Sequence, residues 1–284
     1  MKKSVILTIM VIFASLFVQA QKPRLYIEKV TKGDAVTVDE AVLIRQGVID
    51  ALTKTQRFDL FDEVTIADLE PEIEKRQKET SDYILNINAT TLSTAPKKTN
   101  DGKTKYSCVL NYSITLTDAK TQTTIGTKVF DHSPTGGIFD AFELHDTKDK
   151  AIASQANLIK SDIEKYLIET LPITGVVCPA DYEADKDKLK KCYIYLGSNH
   201  GVKKGDRFVF VTAQKRAGRT VYRPSKIRIE VEEVVDVDLA LCKVQKEHKD
   251  ALIIIEEYAG IDEAAQAEKP LKIQQVANND LFKF

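Results

Sequence analysis

The second half of the chain is a series of short strand-like segments, and this pattern restricts the fold more strongly than any other feature of the sequence. After Pro172, six segments alternate between apolar and polar residues, and five glycines punctuate them. Short strands without a helix to cover them leave sheet edges exposed, and a sheet that closes on itself removes those edges. The pattern therefore predicts a small β-barrel. The six candidate strands are Ile173–Cys178, Tyr193–Leu196, Arg207–Thr212, Ile227–Val235, Leu239–Val244 and Leu252–Glu256.

The first half alternates helices with strands. Thr37 and Glu40 match a capping box, in which the two side chains satisfy free amides at the start of a helix. Apolar residues then recur at helical spacing, and a second amphipathic helix is predicted over Lys150–Thr170. Alternating strands and a charged, mobile loop at Lys97–Lys105 lie between them. We expect an α+β fold, with helices packed on a mixed, mainly antiparallel sheet and a small all-β barrel after it.

These changes of pattern divide the chain into four segments. Residues 1–20 are expected to be a signal peptide, and residues 21–172 an α/β domain. Residues 173–259 are expected to form the barrel. Residues 260–284 are polar and rich in Ala, Glu and Gln, which is typical of a flexible tail.

The first twenty residues have the features of a secretory signal. Lys2 and Lys3 precede an uncharged run, and Val18 and Ala20 place small residues where a signal peptidase cuts. Cleavage is expected between Ala20 and Gln21. Since Gln21 is not a cysteine, we expect no lipid anchor. The mature protein is predicted to be soluble and exported, in the periplasm or outside the cell, and no second stretch predicts an integral membrane protein.

Four cysteines leave two interpretations open. Cys108 and Cys242 lie in alternating segments and look like small core residues. In an exported chain Cys178 and Cys192, which flank a short charged insert, are the most plausible disulfide pair. The other interpretation is that the cysteines are small core residues without a disulfide. No spacing suggests zinc.

The charges are unevenly distributed. Between Lys186 and Arg228 there are thirteen Lys or Arg residues and two acidic ones, and between Glu230 and Glu257 nine acidic residues face three lysines. Export makes nucleic acid an unexpected partner, whereas peptidoglycan, another acidic polymer or an acidic protein fits the basic part. The alternative is ordinary solvated charge on the outer faces of strands. The candidate partner surface comprises Lys203, Lys204, Arg207, Lys215, Arg216, Arg219 and Arg223.

The order of elements in residues 24–172 resembles the domain shared by the CsgG, LpoB and TolB N-terminal families. The residues that carry the resemblance are Leu25–Val30, Ala41–Thr53, Arg57–Phe61, Asp82–Leu85 and the turn Asp118–Thr121. A glycine usually follows that turn in these families, and this chain has Gln122. The resemblance implies a CsgG-like fold but no particular role. CsgG-type pores need an anchor cysteine and long apolar hairpins, so a pore former is not expected.

The second half resembles the C-terminal domain of the FlgT family. Tyr195–Gly197 and Gly201–Phe208 carry this resemblance. Gly205 supplies a turn, and Asp206 is placed to accept hydrogen bonds from its amides. The same pattern occurs in small bacterial barrels generally, so it implies a fold and not a flagellar role.

One segment of the chain contains residues that could bind a metal ion. His132 and His145 lie near several carboxylates in an irregular segment, and two imidazoles with a carboxylate can bind a metal ion. Loops are naturally rich in such residues, and no phosphate loop, nucleophile elbow or zinc-protease pair accompanies them. We therefore expect no enzyme, no metal and no cofactor. The carboxylates of the cluster are Asp131, Asp140, Glu143 and Asp146.

Three hypotheses follow for the function. The first is a non-enzymatic periplasmic adaptor of the cell envelope that binds other envelope proteins. The second is a subunit of a CsgG-like secretion or ring assembly, which would make the chain a homo-oligomer. The third is a metal- or ligand-binding protein that uses residues 131–146. The sequence does not identify the partner or the pathway.

Overall fold

The chain folds as two units, each with its own core. The computed structural model describes residues 22–63, 71–132, 144–216 and 219–277. The first unit runs from Pro23 to Pro172, and the second begins at Ile173. The expected signal peptide and its cleavage site lie outside the described residues.

The first unit contains six strands and three helices among its described residues. The strands are β1 (Arg24–Ile27), β2 (Thr31–Lys32), β3 (Asp59–Asp62), β4 (Tyr83–Lys98), β5 (Thr104–Asp118) and β6 (Thr124–Asp131). The helices are α1 (Val38–Thr55), α2 (Pro71–Glu79) and α3 (Lys148–Thr170).

The sheet of this unit is mixed, as predicted. Its order is β3-β1-β4-β5-β6, and β2 pairs with β4. Strand β1 runs parallel to β3 and β4, whereas β4, β5 and β6 form two successive antiparallel hairpins. Most paired residues belong to the hairpins, so the sheet is mainly antiparallel.

Helices α1 and α3 cover one face of the sheet. The predicted capping box is present at the start of α1: Thr37 accepts from the amide of Glu40, and the Glu40 carboxylate accepts from the amide of Thr37. Thr147 caps α3 with one such bond, because its side chain accepts from the amide of Lys150. Apolar residues of both helices and of β4 and β5 form the core. A smaller cluster around the fully buried Tyr26 lies on the other face.

The tip of the β4–β5 hairpin is tighter than the sequence suggests. Strand pairing continues to Lys98 opposite Thr104, so the expected mobile loop at Lys97–Lys105 is only a short turn. Thr99 closes it by donating its amide to the carbonyl of Lys103, and Gly102 takes a φ of +78°. Pairing extends this far because only the turn itself needs a left-handed residue.

The turn between β5 and β6 is organised by Asp118. Its carboxylate accepts from the amides of Lys120 and Thr121 at 2.9 and 2.7 Å. Gln122 follows with a φ of +56°, in the left-handed region that favours glycine. Gln122 therefore adopts a backbone conformation for which glycine is the usual residue.

The second unit is a closed six-stranded antiparallel barrel, which confirms the predicted fold class. Its strands are β7 (Thr174–Asp185), β8 (Lys188–Ile194), β9 (Arg207–Arg216), β10 (Arg219–Asp236), β11 (Leu239–Lys246) and β12 (Lys272–Val276). They close in the order β10-β11-β8-β7-β12-β9. Phe208, Phe210 and Ile273 are among the fully buried residues of its core.

One predicted strand of the barrel is wrong. Leu252–Glu256 belongs to helix α4 (His248–Ala259). Ala251, Leu252 and Ile255 are buried, which is a helical spacing, whereas Ile253 is half-exposed. The β-branched run favours a strand locally, but burial of one helix face against the barrel overrides that preference.

The expected flexible tail is also corrected by the structure. After α5 (Glu263–Glu268), the chain returns as β12 and fills the place between β7 and β9. Ile273 pairs with Gly175 on one side and with Phe210 on the other. Polar residues that the composition assigns to a tail therefore complete the barrel, since their backbone groups close both neighbouring edges.

Candidate functional site

A groove lies between α1 and α3 of the first unit. Its volume is about 210 Å³. Leu92 and Leu110 of the sheet form the floor, and Leu43 of α1 and Ile152 of α3 stand on opposite sides. The full lining is Leu43, Ile44, Gln46, Gly47, Asp50, Leu92, Leu110, Ile152, Ala153, Gln155, Ala156 and Ile159.

Small residues shape this groove. A Cβ atom at Gly47 would lie 2.8 Å from Cδ1 of Ile159, so the glycine allows close approach of the two helices at that point. On α3, Ala153 and Ala156 are exposed and leave open space where longer side chains would fill the groove. The result is an apolar depression above a well-packed contact.

One exposed apolar side chain of α1 lines the edge of the groove. Leu43 lines it and is 50% exposed. Val38 and Val42 of the same helix are 64% and 52% exposed but do not line it. Leu43 therefore adds apolar surface to the groove itself, whereas exposed apolar residues that stand singly are ordinary on a protein surface.

Gln155 places an unpaired polar atom beside this apolar surface. The residue is only 8% exposed, and its Nε2 donates to Ser154 Oγ at 3.1 Å and to the Ala151 carbonyl at 3.3 Å. Its Oε1 has no hydrogen-bond partner among the described residues. A buried amide oxygen without a donor is costly, so a rotation of the side chain that brings Oε1 to a donor in the groove would be favoured.

A buried polar network lies further along α3. Oδ2 of Asp162 accepts from Tyr112 Oη at 2.9 Å and is 2.7 Å from His132 Nε2. Burial raises the pKa of Tyr112, and the neighbouring Asp162 carboxylate raises it further. The tyrosine therefore remains a proton donor, and the network fastens α3 to the sheet.

The two histidines proposed for a metal cluster are not brought together. His132 is bound to Asp162, whereas His145 exchanges two backbone hydrogen bonds with Tyr106. The backbone of His132 pairs at Leu110, four residues further along β5 than Tyr106, which is about 13 Å of strand. Asp140 and Glu143 lie outside the described residues. Within the described ranges, no group of three His, Cys, Asp or Glu side chains is arranged to hold a metal ion.

The proposed basic surface is only partly visible. Arg223 is exposed on β10, and Lys203 and Lys204 are exposed before β9. The Arg207 guanidinium is 3.1 Å from the carboxylate of Glu230. The side chains of the three remaining positions, Lys215, Arg216 and Arg219, lie outside the described part.

The opposite charges of the barrel meet across its strands. Glu230 accepts from both Arg207 and Lys243, at 3.1 Å each, and Lys191 lies 3.3 Å from Glu232. Partial burial opposes ionisation of Glu230, but the hydrogen bonds from Lys243 and Arg207 outweigh it and lower its pKa. Much of the uneven charge along the sequence is therefore paired in space, which favours solvated strand faces over a basic binding surface.

All four cysteines are buried free thiols in the structure. Cys178 accepts a hydrogen bond from Tyr195 at 3.1 Å, whereas Cys192 is fully enclosed in the barrel core. The disulfide between Cys178 and Cys192 stays a prediction.

The buried face of α3 carries a sequence signal that its apolar periodicity alone does not reveal. Gln155 and Asp162 fall on the buried side of α3, each one turn from Ile159. A polar residue on the apolar face of an amphipathic helix is a recognisable signal, because such a group needs a partner. The missing partner of Gln155 is visible only in three dimensions.

Among the described residues, no helix has the length and apolar character needed to cross a membrane.

Neither a protein-family model nor a curated protein matches this chain. Solved structures with similarity include the PelC dodecamer from Paraburkholderia phytofirmans, 14% identical over 50% of this chain and 86% of PelC, with a TM-score of 0.29. A lipoprotein from Neisseria meningitidis is 10% identical over 50% of this chain and 98% of its own, with a TM-score of 0.31. TolB from Acinetobacter baumannii is 8% identical over 80% of this chain and 61% of TolB, with a TM-score of 0.27. Such values support no conclusion about family or activity, and the CsgG-like and FlgT-like resemblances stay predictions.

Proposed function

We propose that the protein is a non-enzymatic adaptor of the bacterial cell envelope that binds a partner protein through the groove between α1 and α3. The main support for this proposal is an open apolar depression that lies beside the buried Gln155, whose Oε1 has no hydrogen-bond partner among the described residues. A mainly apolar depression with a few polar groups at its wall is suited to recognition.

The groove also indicates the chemistry of the partner segment. At about 210 Å³, it has room for one or two apolar side chains and not for a folded domain. The partner should therefore present an amphipathic helix or a loop with protruding apolar residues. A neighbouring N–H or O–H group of that segment would donate to Gln155 Oε1 once the side chain turns toward the groove.

The proposal also includes the location of the protein outside the cytoplasm. The signal-peptide pattern with Gln21 after the expected cut favours an exported, unanchored protein. A partner in the groove would then hold the protein at the envelope. Peptidoglycan or another acidic polymer is a less supported partner, because Glu230 already neutralises Arg207.

Site-specific photo-crosslinking in the native cell tests this function. A photoreactive residue at Leu43 or Ala153, on the two walls of the groove, should give an adduct with one envelope protein that is identified by mass spectrometry. Val42 is the matched control position, since it neighbours Leu43 and is equally exposed but does not line the groove. The adduct from Ala153 should disappear with Leu43→Glu and persist with Val42→Glu.

Two results would contradict the proposal. One is an adduct pattern that is the same at Val42 and at the groove positions. The other is the absence of any adduct above the unirradiated sample. A crosslink to a second copy of this chain, with a matching mass in solution, would instead favour the ring-assembly hypothesis.

A further inference from the structure

Two cysteines of the barrel are direct cross-strand neighbours. Strands β8 and β11 are antiparallel, and Cys192 pairs with Cys242 in their register. The flanking pairs, Leu241 with Tyr193 and Lys243 with Lys191, are regular, so no bulge separates the two residues. Directly opposed residues have Cα atoms about 4.5 or 5.5 Å apart, and both values lie within the range found in disulfides.

Both side chains point to the same side of the barrel wall. Opposed residues of an antiparallel pair share one face of the sheet. Cys192 and Cys242 are both 0% exposed and belong to the barrel core, which identifies that face as the interior. Burial raises the pKa of Cys192 to about 12 and also raises that of Cys242, so neither is a reactive thiolate in the closed barrel.

Cys178 is the competing partner, and the geometry disfavours it. The Cys178 thiol accepts a hydrogen bond from Tyr195, which is 50% exposed. Tyr195 and Cys192 are an odd number of residues apart on one extended segment, so their side chains lie on opposite faces. In the register, Cys192 faces Tyr182 of β7 and not Cys178.

We propose that Cys192 and Cys242 join in a cross-strand disulfide when the chain folds in the presence of an external disulfide. Two S–H bonds break and one S–S bond forms. The two electrons and two protons pass to the external disulfide, which is released as two thiols. The bond fixes β8 to β11 inside the barrel and encloses the segment that contains β9 and β10. Because the folded barrel hides both thiols, the reaction takes place before it closes.

Disulfide mapping of the full chain tests this inference. The protein is unfolded, reduced, refolded with oxidised glutathione, and then denatured and alkylated without reduction. Two of the four cysteines should be alkylated, and the peptides that contain Cys192 and Cys242 should be found as one linked species. Four alkylated cysteines, or a link from Cys178 to Cys192, would overturn the proposal.

Stability gives a second readout. A reductant should lower the melting temperature of the oxidised barrel by on the order of 10 °C, as expected for a bond that closes a loop of roughly fifty residues. Cys242→Ala should remove this response to the reductant, whereas Cys178→Ala and Cys108→Ala should retain it. If Cys242→Ala does not fold, the peptide map of the unmodified chain decides the question alone. A wild-type barrel that melts at the same temperature with and without reductant would contradict the inference.

Discussion

Asp162 is a carboxylate on the buried side of a helix, and it depends on two partners. A single oxygen, Oδ2, meets Tyr112 Oη and His132 Nε2. The Tyr112 ring is fully buried and stacks on Phe130 with centroids 4.8 Å apart, so it cannot turn to another acceptor without repacking. The network holds α3 at a fixed height on the sheet, and α3 forms one wall of the groove.

We expect Asp162→Ala to lower the free energy of unfolding of the first unit by about 2–4 kcal/mol, because it leaves the buried Tyr112 hydroxyl without an acceptor. Asp162→Asn should cost less, since its carbonyl oxygen still accepts. Urea denaturation measures both. Glu164→Gln, at an exposed position of the same helix, should change stability by less than about 0.5 kcal/mol. An Asp162→Ala protein as stable as the wild type would show that the network is dispensable.

Gln122 occupies a backbone conformation that suits glycine. Its φ is +56°, and its Nε2 donates to the carbonyl of Ala119. Gln122→Gly should raise the free energy of unfolding by up to about 1 kcal/mol, since the left-handed conformation costs a side chain roughly that amount and the lost hydrogen bond is exposed. Equilibrium denaturation is the measurement.

Gly102 offers the reverse test of the same principle. Its φ is +78°, and a Cβ there would have no atom within 4 Å. Gly102→Ala should therefore destabilise by about 1 kcal/mol through the backbone alone. If both substitutions change stability in the same direction, backbone strain is not the cause.

At the scale of elements, Glu28 connects three of them. It follows β1, pairs with Lys78 of α2, and accepts from Asn86 of β4 at 3.1 Å. Partial burial opposes its ionisation, but the hydrogen bonds from Lys78 and Asn86 and the charge of Lys78 outweigh it and lower its pKa below the ordinary 4.5. The ionised form is therefore the one that stabilises the fold.

Glu28→Gln should accordingly lower stability at neutral pH, by less than about 1 kcal/mol because the pair is partly solvated. A carboxylate with a lowered pKa contributes fully above its unfolded value and loses that contribution as the pH falls through its folded value. The difference between wild type and variant should thus be constant from pH 7 to about 5 and disappear well below 4.5. Urea titrations at several pH values measure it. Glu79→Gln is the control at an exposed position, and a pH-independent difference would contradict this account.

The elements also indicate what sequence patterns can predict. The capping box at Thr37 and Glu40 located α1 because it depends on neighbouring residues alone. The strand prediction for Leu252–Glu256 is wrong. The β-branched residues of this segment favour a strand, but the contact of one face with the barrel stabilises a helix. The groove has the same origin: Gly47 and Gln155 acquire their roles only when α1 meets α3.

At the scale of the whole molecule, β12 is the element on which closure of the second unit depends. It pairs with β7 through residues 272–274 and with β9 through residues 272–276. Gln275 is 7% exposed, and its backbone N–H donates to the Ile173 carbonyl at 2.8 Å. The sequence pattern does not predict this strand. Its two interior side chains are Ile273 and Gln275, and one of them is polar, so they do not form an apolar series.

A chain ended after Lys269 should therefore lose the barrel and keep the first unit. Removal of β12 leaves two facing edges and takes Ile273 from the core. Hydrogen exchange with mass spectrometry should show lost protection in peptides from 174–246 and native protection in peptides from 24–170. A chain ended after Ala277 is the control and should exchange like the full chain. Native protection of the barrel without β12 would refute the role given to this strand.

The position of β12 also sets the order of events during synthesis. The strands described for the first unit are complete once residue 131 has left the ribosome, and helix α3 is complete at residue 170. The barrel of the second unit cannot close before β12, which ends at residue 276, has been synthesised. One edge of β7 therefore stays unpaired while about a hundred further residues are translated. Translation proceeds at roughly 5–20 residues per second. The nascent chain therefore exposes an unpaired strand edge for several seconds. Chaperones that bind unfolded chains should stay bound to the second unit for longer than to the first.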